Sequence, residues 1–252
     1  MIEIRNVHID RYISPLREGG SLPAIVEADD GFFYALKFKG AGQGTKALIA
    51  DLIGAELARL AGLKVPEVVF GYLPDGYGRT EPDEEIQDLL KWSVGLNFGI
   101  HYLQGAITFD PVAHEIDETL ASKIVWLDAF LMNIDRTPRN TNLLNWKGEI
   151  WLIDHGASLY FHHNPSAWKE QSQKPFVNIK DHVLLSKASK LLEVNEHMLA
   201  AVSEENIKAV VELIPEEWLE TDEAISKELY LDFLVARRAN SNAFLKEAIN
   251  AR

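Results

Sequence analysis

Between Asn133 and Phe161 the chain reads NIDRTPRNTNLLNWKGEIWLIDHGASLYF, where residue types able to do chemistry are most concentrated. Asp135 follows an apolar helical run and Asp154 closes a run of strand character, so two carboxylates stand at the rims of rigid elements. Asn140, five positions after Asp135, adds a neutral oxygen ligand. Carboxylate oxygen, amide oxygen and water form the hard donor set that magnesium takes when it also bridges substrate phosphates. Each of these residues alone would serve equally well to cap a turn. Their joint spacing favours metal-assisted phosphate chemistry over a plain helix, loop and hairpin.

Such residues need elements to hold them. From Pro23, PAIVEADDGFFYALKF contains two short strand-like runs around Asp29-Asp30-Gly31, a hairpin signal. KALIADLIGAELARLAG repeats apolar residues at helical spacing and stops at Gly62, a suitable C-terminal cap. PEVVFGYL reads as a strand, Glu84 to Lys91 as a short helix, and WSVGLNFGIHYL as another strand. IDETLASKIVWLDAFLMN is helical, Lys147-Gly148 is a hairpin turn, and almost everything after Lys180 is amphipathic helix. Strands precede helices, which predicts an α+β fold of two lobes: a small β-rich lobe over 1–105 and a larger, mostly helical lobe over 106–252. A cleft between such lobes is where ligands bind.

The 252 residues, 47% hydrophobic and 25% charged, have the composition of an ordinary globular protein. A net charge of −13, from 25 basic and 38 acidic residues, argues against nucleic acid and anionic membrane as partners. A chain this acidic handles phosphates only through a local device, such as a buried lysine, a glycine-rich turn or metal held between carboxylates. The lack of cysteine excludes disulfides, thiolate metal sites and a cysteine nucleophile. With no signal peptide and no apolar run of membrane-spanning length, the expectation is a soluble cytoplasmic protein.

Asp135 to Asn140 reproduces the Asp, four residues, Asn spacing of the protein-kinase catalytic loop, and Asp154-His155-Gly156 stands where kinases place Asp-Phe-Gly. Asn133-Ile134-Asp135-Arg136 resembles more closely the opening of that loop in the HipA-like kinases, bacterial members of the superfamily that includes the phosphatidylinositol kinases. The resemblance is most specific from Asn133 to Gly156 and thins over the C-terminal helices. It implies a two-lobed protein-kinase-like fold with ATP and magnesium as cofactors. It also implies roles: Asp135 as the catalytic aspartate that orients the acceptor hydroxyl and takes its proton, and Asp154 as the main magnesium ligand. The second ligand is Asn140 by spacing, or Asn142 if the residues around Pro138 are a two-residue insertion. Arg136 either stabilises transferred charge or pairs with an acidic neighbour.

The same resemblance requires a strand lysine on the phosphates and a helix glutamate to hold it. Tyr34-Ala35-Leu36-Lys37 is similar to Val-Ala-Ile-Lys, which makes Lys37 that lysine, with Lys39 of equal strand parity as substitute. Glu56, the acidic residue in the second half of the following helix, is its expected partner. Gly19, Gly20 and Ser21 lie where a phosphate-covering loop would, although they depart from the Gly-x-Gly-x-x-Gly pattern. Gly95 to Gly105, His101 among them, would form a hinge facing adenine. Gly40 to Ala47 lacks the second glycine and the hydroxyl of a Walker loop. His162 and His163 read as exposed loop residues, and Trp126, Trp146 and Trp151 as core.

The expected function is therefore ATP- and magnesium-dependent transfer of the γ-phosphoryl group to a hydroxyl acceptor, a protein Ser/Thr first, a small molecule or lipid headgroup second. The alternative from another class is a non-catalytic nucleotide- or partner-binding module, favoured by His155 in place of phenylalanine. A metal-dependent hydrolase would use the same carboxylates but lacks histidine ligands at helical spacing.

Overall fold

The computed structural model describes residues 3–16, 22–79, 81–220 and 222–252. The hairpin signal around Asp29-Asp30-Gly31 forms β2 (Ala24–Ala28) and β3 (Phe33–Lys37), with Gly31 in the left-handed region at φ 78°. Both pair antiparallel in the alternation the sequence shows, with Ala24, Val26, Tyr34 and Leu36 turned inward. A longer strand precedes them, β1 (Arg5–Pro15), which the sequence pattern does not announce. Its exposed positions mix charged and polar residues with Ile13, and only Val7 and Ile9 are fully buried, so its pattern is weak by itself. It is held by pairing, antiparallel to β2 and parallel to β4 (Val68–Leu73). Strand β5 (Gly95–His101) runs antiparallel to both β3 and β4, so the order β1-β2-β3-β5-β4 closes into a barrel without edges.

Between β3 and β4, α1 (Gly44–Leu60) is buried on nearly all sides, which a helix apolar around its whole circumference requires. It stops at Gly62, φ 76°, where the Leu63 amide bonds the Ala58 carbonyl and the Gly62 amide bonds that of Arg59. After α2 (Glu84–Trp92) and β5 comes the short strand β6 (Ile107–Thr108), which joins a second sheet in the order β6-β7-β8. Strands β7 (Leu143–Trp146) and β8 (Glu149–Leu152) form the hairpin turned at Lys147-Gly148, both at positive φ (53° and 80°). The long helix before it is α3 (Glu118–Leu131), capped by the Asp117 carboxylate on the amides of Thr119 and Leu120.

The rest is helical from Leu191: α5 (Leu191–Ala201), α6 (Glu204–Val211), α7 (Glu216–Leu219), α8 (Lys227–Ala239) and α9 (Ser241–Ala251). Before them, 160–190 is built of short 3-10 turns around α4 (Trp168–Gln173), so regular helix resumes later than Lys180. The fold is α+β. Apolar residues gather in two clusters, one inside the barrel and one that joins α1 to α3 and the C-terminal helices. Helix α7 also grips the barrel: Glu217 accepts from the Leu96 amide and from Lys39 Nζ, and the Trp218 indole donates to the Leu96 carbonyl. Among the described residues no helix is long and apolar enough to cross a membrane.

Three side-chain placements differ from expectation. His162 is buried and hydrogen-bonded to the Tyr230 hydroxyl at 3.0 Å, because the turn after Leu159 folds it inward; only His163 is exposed. Trp126 belongs to the core, packed on Phe130 and Phe244. Trp146 and Trp151 instead lie half-buried on the second sheet, edge to face with each other at 5.4 Å.

Candidate active site

Lys37 is the last residue of β3, and its ammonium lies 2.7 Å from Asp51 Oδ2 and 2.7 Å from Asp154 Oδ1. Asp51 projects from the first half of α1 and is almost fully buried. Its other oxygen, Oδ1, accepts the His155 amide at 2.7 Å. One carboxylate therefore fastens both the strand lysine and the backbone just past Asp154. Two glycines let the helix come this close. A Cβ at Gly156 would stand 2.9 Å from Asp51 Oδ2, and one at Gly54 would collide with the His155 side chain.

This corrects the expected pairing. Glu56 does not meet Lys37; it pairs with Arg59 at 3.2 Å. Five residues separate Glu56 from Asp51, and at about 100° per residue that rotates the two onto different faces of α1. The available signal was Gly54, which shares a face with Asp51 and marks the side where another segment approaches. Lys39 is occupied elsewhere, 3.0 Å from Glu217.

Burial pulls the Lys37 ammonium down, but the charges of Asp51 and Asp154 outweigh it and raise its pKa. Burial and the charge of Asp154 push Asp51 up to about 6, against the pull of Lys37. Burial also raises Asp154, yet Lys37 and the Gly156 amide bring it below its usual value. The two carboxylates share one lysine and titrate together.

After α3 the chain turns through Met132, at φ 58°, into the loop that carries Asp135. Asn133 Oδ1 accepts the Asp135 amide at 3.1 Å. Asp135 Oδ2 accepts two amide donors, Asn140 Nδ2 at 2.7 Å and Asn142 Nδ2 at 3.1 Å. Asp135 Oδ1 has no hydrogen-bond partner among the described residues. Thr137 and Asn140 bond each other through N–H and C=O in both directions, which leaves Pro138 and Arg139 as the tip of a two-residue turn.

That turn bears on the choice between the two asparagines. Asn140 is exposed within it, whereas Asn142 is 7% exposed and leads directly into β7. The Ile153 amide donates to the Asn142 carbonyl at 3.1 Å, so Asn142 sits across the ladder from the residue before Asp154. Asn142 and Asp154 both hold left-handed backbone, φ 47° and 54°, a strain that clusters at functional sites.

Arg136 is not turned toward a transferred group. Its side chain has no exposed surface, and Nε lies 2.6 Å from Asp128 Oδ2 on α3. Of its two expected roles, the pairing with an acidic neighbour is the one present. The His101 amide is bonded to the Glu67 carbonyl at 2.8 Å and its ring lies edge-on to Phe32 and Tyr34, so its N–H is spent within the barrel. The Tyr102 amide is likewise spent, on the Phe33 carbonyl. Gly19, Gly20 and Ser21 lie outside the described residues.

The oxygens fit a hard cation that also holds phosphates. Asp154 Oδ2 and Asn142 Oδ1 are without hydrogen-bond partners among the described residues, and the Asp154 side chain is 37% exposed. Among the described residues no three His, Cys, Asp or Glu side chains converge to hold a metal ion.

His155 is buried, and burial first, then the charge of Arg136, push its pKa down to about 3. Burial does the same to His162, also to about 3, and lowers His182. All three are held neutral. The unfolded chain, with histidines near 6.5, takes up these protons first, so the stability they confer is complete above about pH 6.5 and lost as pH falls, toward 3 for His155 and His162. Each of those two contributes a slope of about 1.4 kcal/mol per pH unit inside that window. Asp51, raised toward 6, has the opposite sign and offsets one of them between about pH 6 and 4. Urea unfolding from pH 7 to 5 is therefore expected to show falling stability, with a slope reduced by about one proton in His155→Phe. A flat profile would exclude this account.

The family described as HipA-like kinase matches residues 9–247. Among solved structures, a Helicobacter pylori proinflammatory kinase, CtkA, superposes with a TM-score of 0.63 at 12% identity, covering 98% of this chain and 99% of that one. The Golgi casein kinase with Mn/ADP bound gives a TM-score of 0.48 at 12% identity, covering 99% of this chain and 74% of that one. No curated protein matches. The CtkA likeness shows a kinase fold along the whole chain, and the matched span takes in the barrel, Lys37, Asp51, the Asp135 loop and Asp154; the chain belongs to the HipA-like kinase family.

Proposed function

We propose that this chain transfers the γ-phosphoryl group of ATP to a hydroxyl, with magnesium, and that the acceptor is a protein serine or threonine. The reading rests on one arrangement above all, the Lys37 ammonium held between Asp51 and Asp154. The barrel then serves as the small lobe, the helices as the large one, and the segment after His101 as the hinge. Leu103, whose amide has no partner among the described residues, is the first N–H past β5 free for an adenine.

Phosphoryl transfer demands little covalent chemistry of the protein; it demands positioning and charge neutralisation. Lys37 meets the phosphates from the barrel side. Asp154 Oδ2 and Asn142 Oδ1 would hold magnesium, which would neutralise the charge that gathers on the phosphate oxygens. The Asp135 carboxylate, with Oδ2 fixed by two asparagine amides, presents Oδ1 to the acceptor hydroxyl and takes its proton.

The test is ATP binding with and without magnesium. Wild type is expected to bind ATP more tightly when magnesium is present, and Asp154→Ala to lose that gain while keeping the weaker metal-free affinity. A wild type whose ATP affinity ignores magnesium, or an Asp154→Ala that keeps the full gain, would overturn the reading. Labelled-phosphate transfer to candidate proteins then addresses the acceptor.

A further inference from the structure

Asp128, in the second half of α3, has a side chain with no exposed surface, and three side chains converge on it, two from the loop that follows α3 and one from the distant turn at His182. Arg136 Nε lies 2.6 Å and His182 Nε2 2.9 Å from its Oδ2, while Asn133 Nδ2 lies 3.0 Å from its Oδ1. His182 Nδ1 accepts the Leu184 amide at 3.0 Å, so the ring proton is on Nε2 and points at Asp128. Burial pushes the Asp128 carboxyl up, but the charge of Arg136 and the bond from His182 hold it well below the usual range.

Two of these partners pass the contact on to the site. Asn133 Oδ1 accepts the Asp135 amide. Arg136 Nη1 donates to the carbonyl of Asn142 and to that of Ile153, the residue before Asp154. The Arg136 carbonyl accepts the Val183 amide at 3.0 Å, which ties down the same segment that carries His182. From one carboxylate, a path through a single side chain reaches Asp135 by way of Asn133, and Asn142 and the backbone beside Asp154 by way of Arg136.

The segment being held needs such support. Residues 132–142 form no helix or strand, and the left-handed backbone at Met132 and Asn142 must be imposed from outside. Stability by itself gives little reason for a buried ion pair, since desolvation consumes most of its attraction and apolar replacements are often as stable. Register of the loop is what the pair supplies.

We propose that Asp128, with Asn133 and His182, is the positioning centre of this site, setting Asp135 in register with Asn142 and Asp154. The proposal rests on the phosphotransfer reading above. Its test uses the full chain and measures kcat, the Kd for magnesium–ATP and the unfolding midpoint for wild type, Asn133→Ala, His182→Phe and His182→Gln. Misplacing a reacting group by about 1 Å costs on the order of 100-fold in rate. Asn133→Ala and His182→Phe are therefore expected to lose roughly 10- to 100-fold in kcat with magnesium–ATP affinity within about twofold of wild type, because Lys37 keeps its bonds to Asp51 and Asp154 and Arg136 keeps the carbonyls of Asn142 and Ile153. His182→Gln, which keeps a donor, is expected to recover much of the loss. If folded Asn133→Ala and His182→Phe keep wild-type kcat and only their unfolding midpoints fall, the network is structural and the proposal is overturned. Should His182→Phe fail to fold, Asn133→Ala decides. A wild type without magnesium-dependent turnover overturns the phosphotransfer reading itself; a wild type with turnover that Asn133→Ala leaves unchanged overturns this proposal alone.

Discussion

Asp135→Ala is expected to lower phosphoryl transfer by roughly 10²- to 10⁴-fold, the usual contribution of a positioned general base. Magnesium–ATP affinity should stay within about twofold, because none of the groups assigned to nucleotide or metal is removed. The carboxylate is held in place for proton transfer, with Oδ2 engaged by Asn140 and Asn142, the Asp135 amide by Asn133, and Oδ1 left open. The split between turnover and binding separates Asp135 from Asp154, whose loss removes the metal-dependent part of nucleotide affinity. Single-turnover transfer beside equilibrium ATP binding reads it directly. Asp135→Ala with wild-type turnover would remove Asp135 from the chemistry.

The second large effect is on stability. Arg136→Met leaves the Asp128 carboxylate buried without the guanidinium that neutralises it, and removes the guanidinium bonds to the carbonyls of Asn142 and Ile153. Breaking a buried pair in this way costs about 3–5 kcal/mol, a large part of the roughly 5–15 kcal/mol that holds a domain folded. The double variant Asp128→Leu with Arg136→Met removes both charges and is expected to recover most of that loss, since a well-packed apolar pair can match a buried salt bridge. Activity should not return with it, because the bonds leading to Asp135 and Asn142 are still missing. Denaturant unfolding of the two single variants and the double variant forms a cycle that measures the coupling. A loss in the double variant equal to the sum of the two single losses would mean that the pair itself contributes little.

Much of the fold was legible because its signals are local. The β2–β3 hairpin is written in an acidic, glycine-ended turn between alternating strands, and α1 ends at the glycine that caps it. Strand β1 was not legible, since only two of its residues are fully buried and its place comes from pairing with both β2 and β4. The burial of His162 was hidden for a related reason: a pair of adjacent histidines in a polar stretch carries no sign of which one the turn folds inward.

At the site, Lys37, Asp135 and Asp154 could be chosen from the sequence alone, because their types and spacing within single strands and loops carry the pattern. Which acid meets the lysine, which asparagine lies beside Asp154 and what Arg136 does could not. Asp51 rather than Glu56 faces Lys37 because α1 rotates by about 100° per residue and packs through Gly54 onto His155. Asn142 is set beside Asp154 by the ladder between β7 and β8, and Asn140 is carried out on a turn. Arg136 is drawn inward by Asp128 and shares that carboxylate with His182, a residue 46 positions further along the chain. Residue type and near-neighbour spacing determine what chemistry is available. Long-range packing decides which of several equivalent side chains are brought within hydrogen-bond distance.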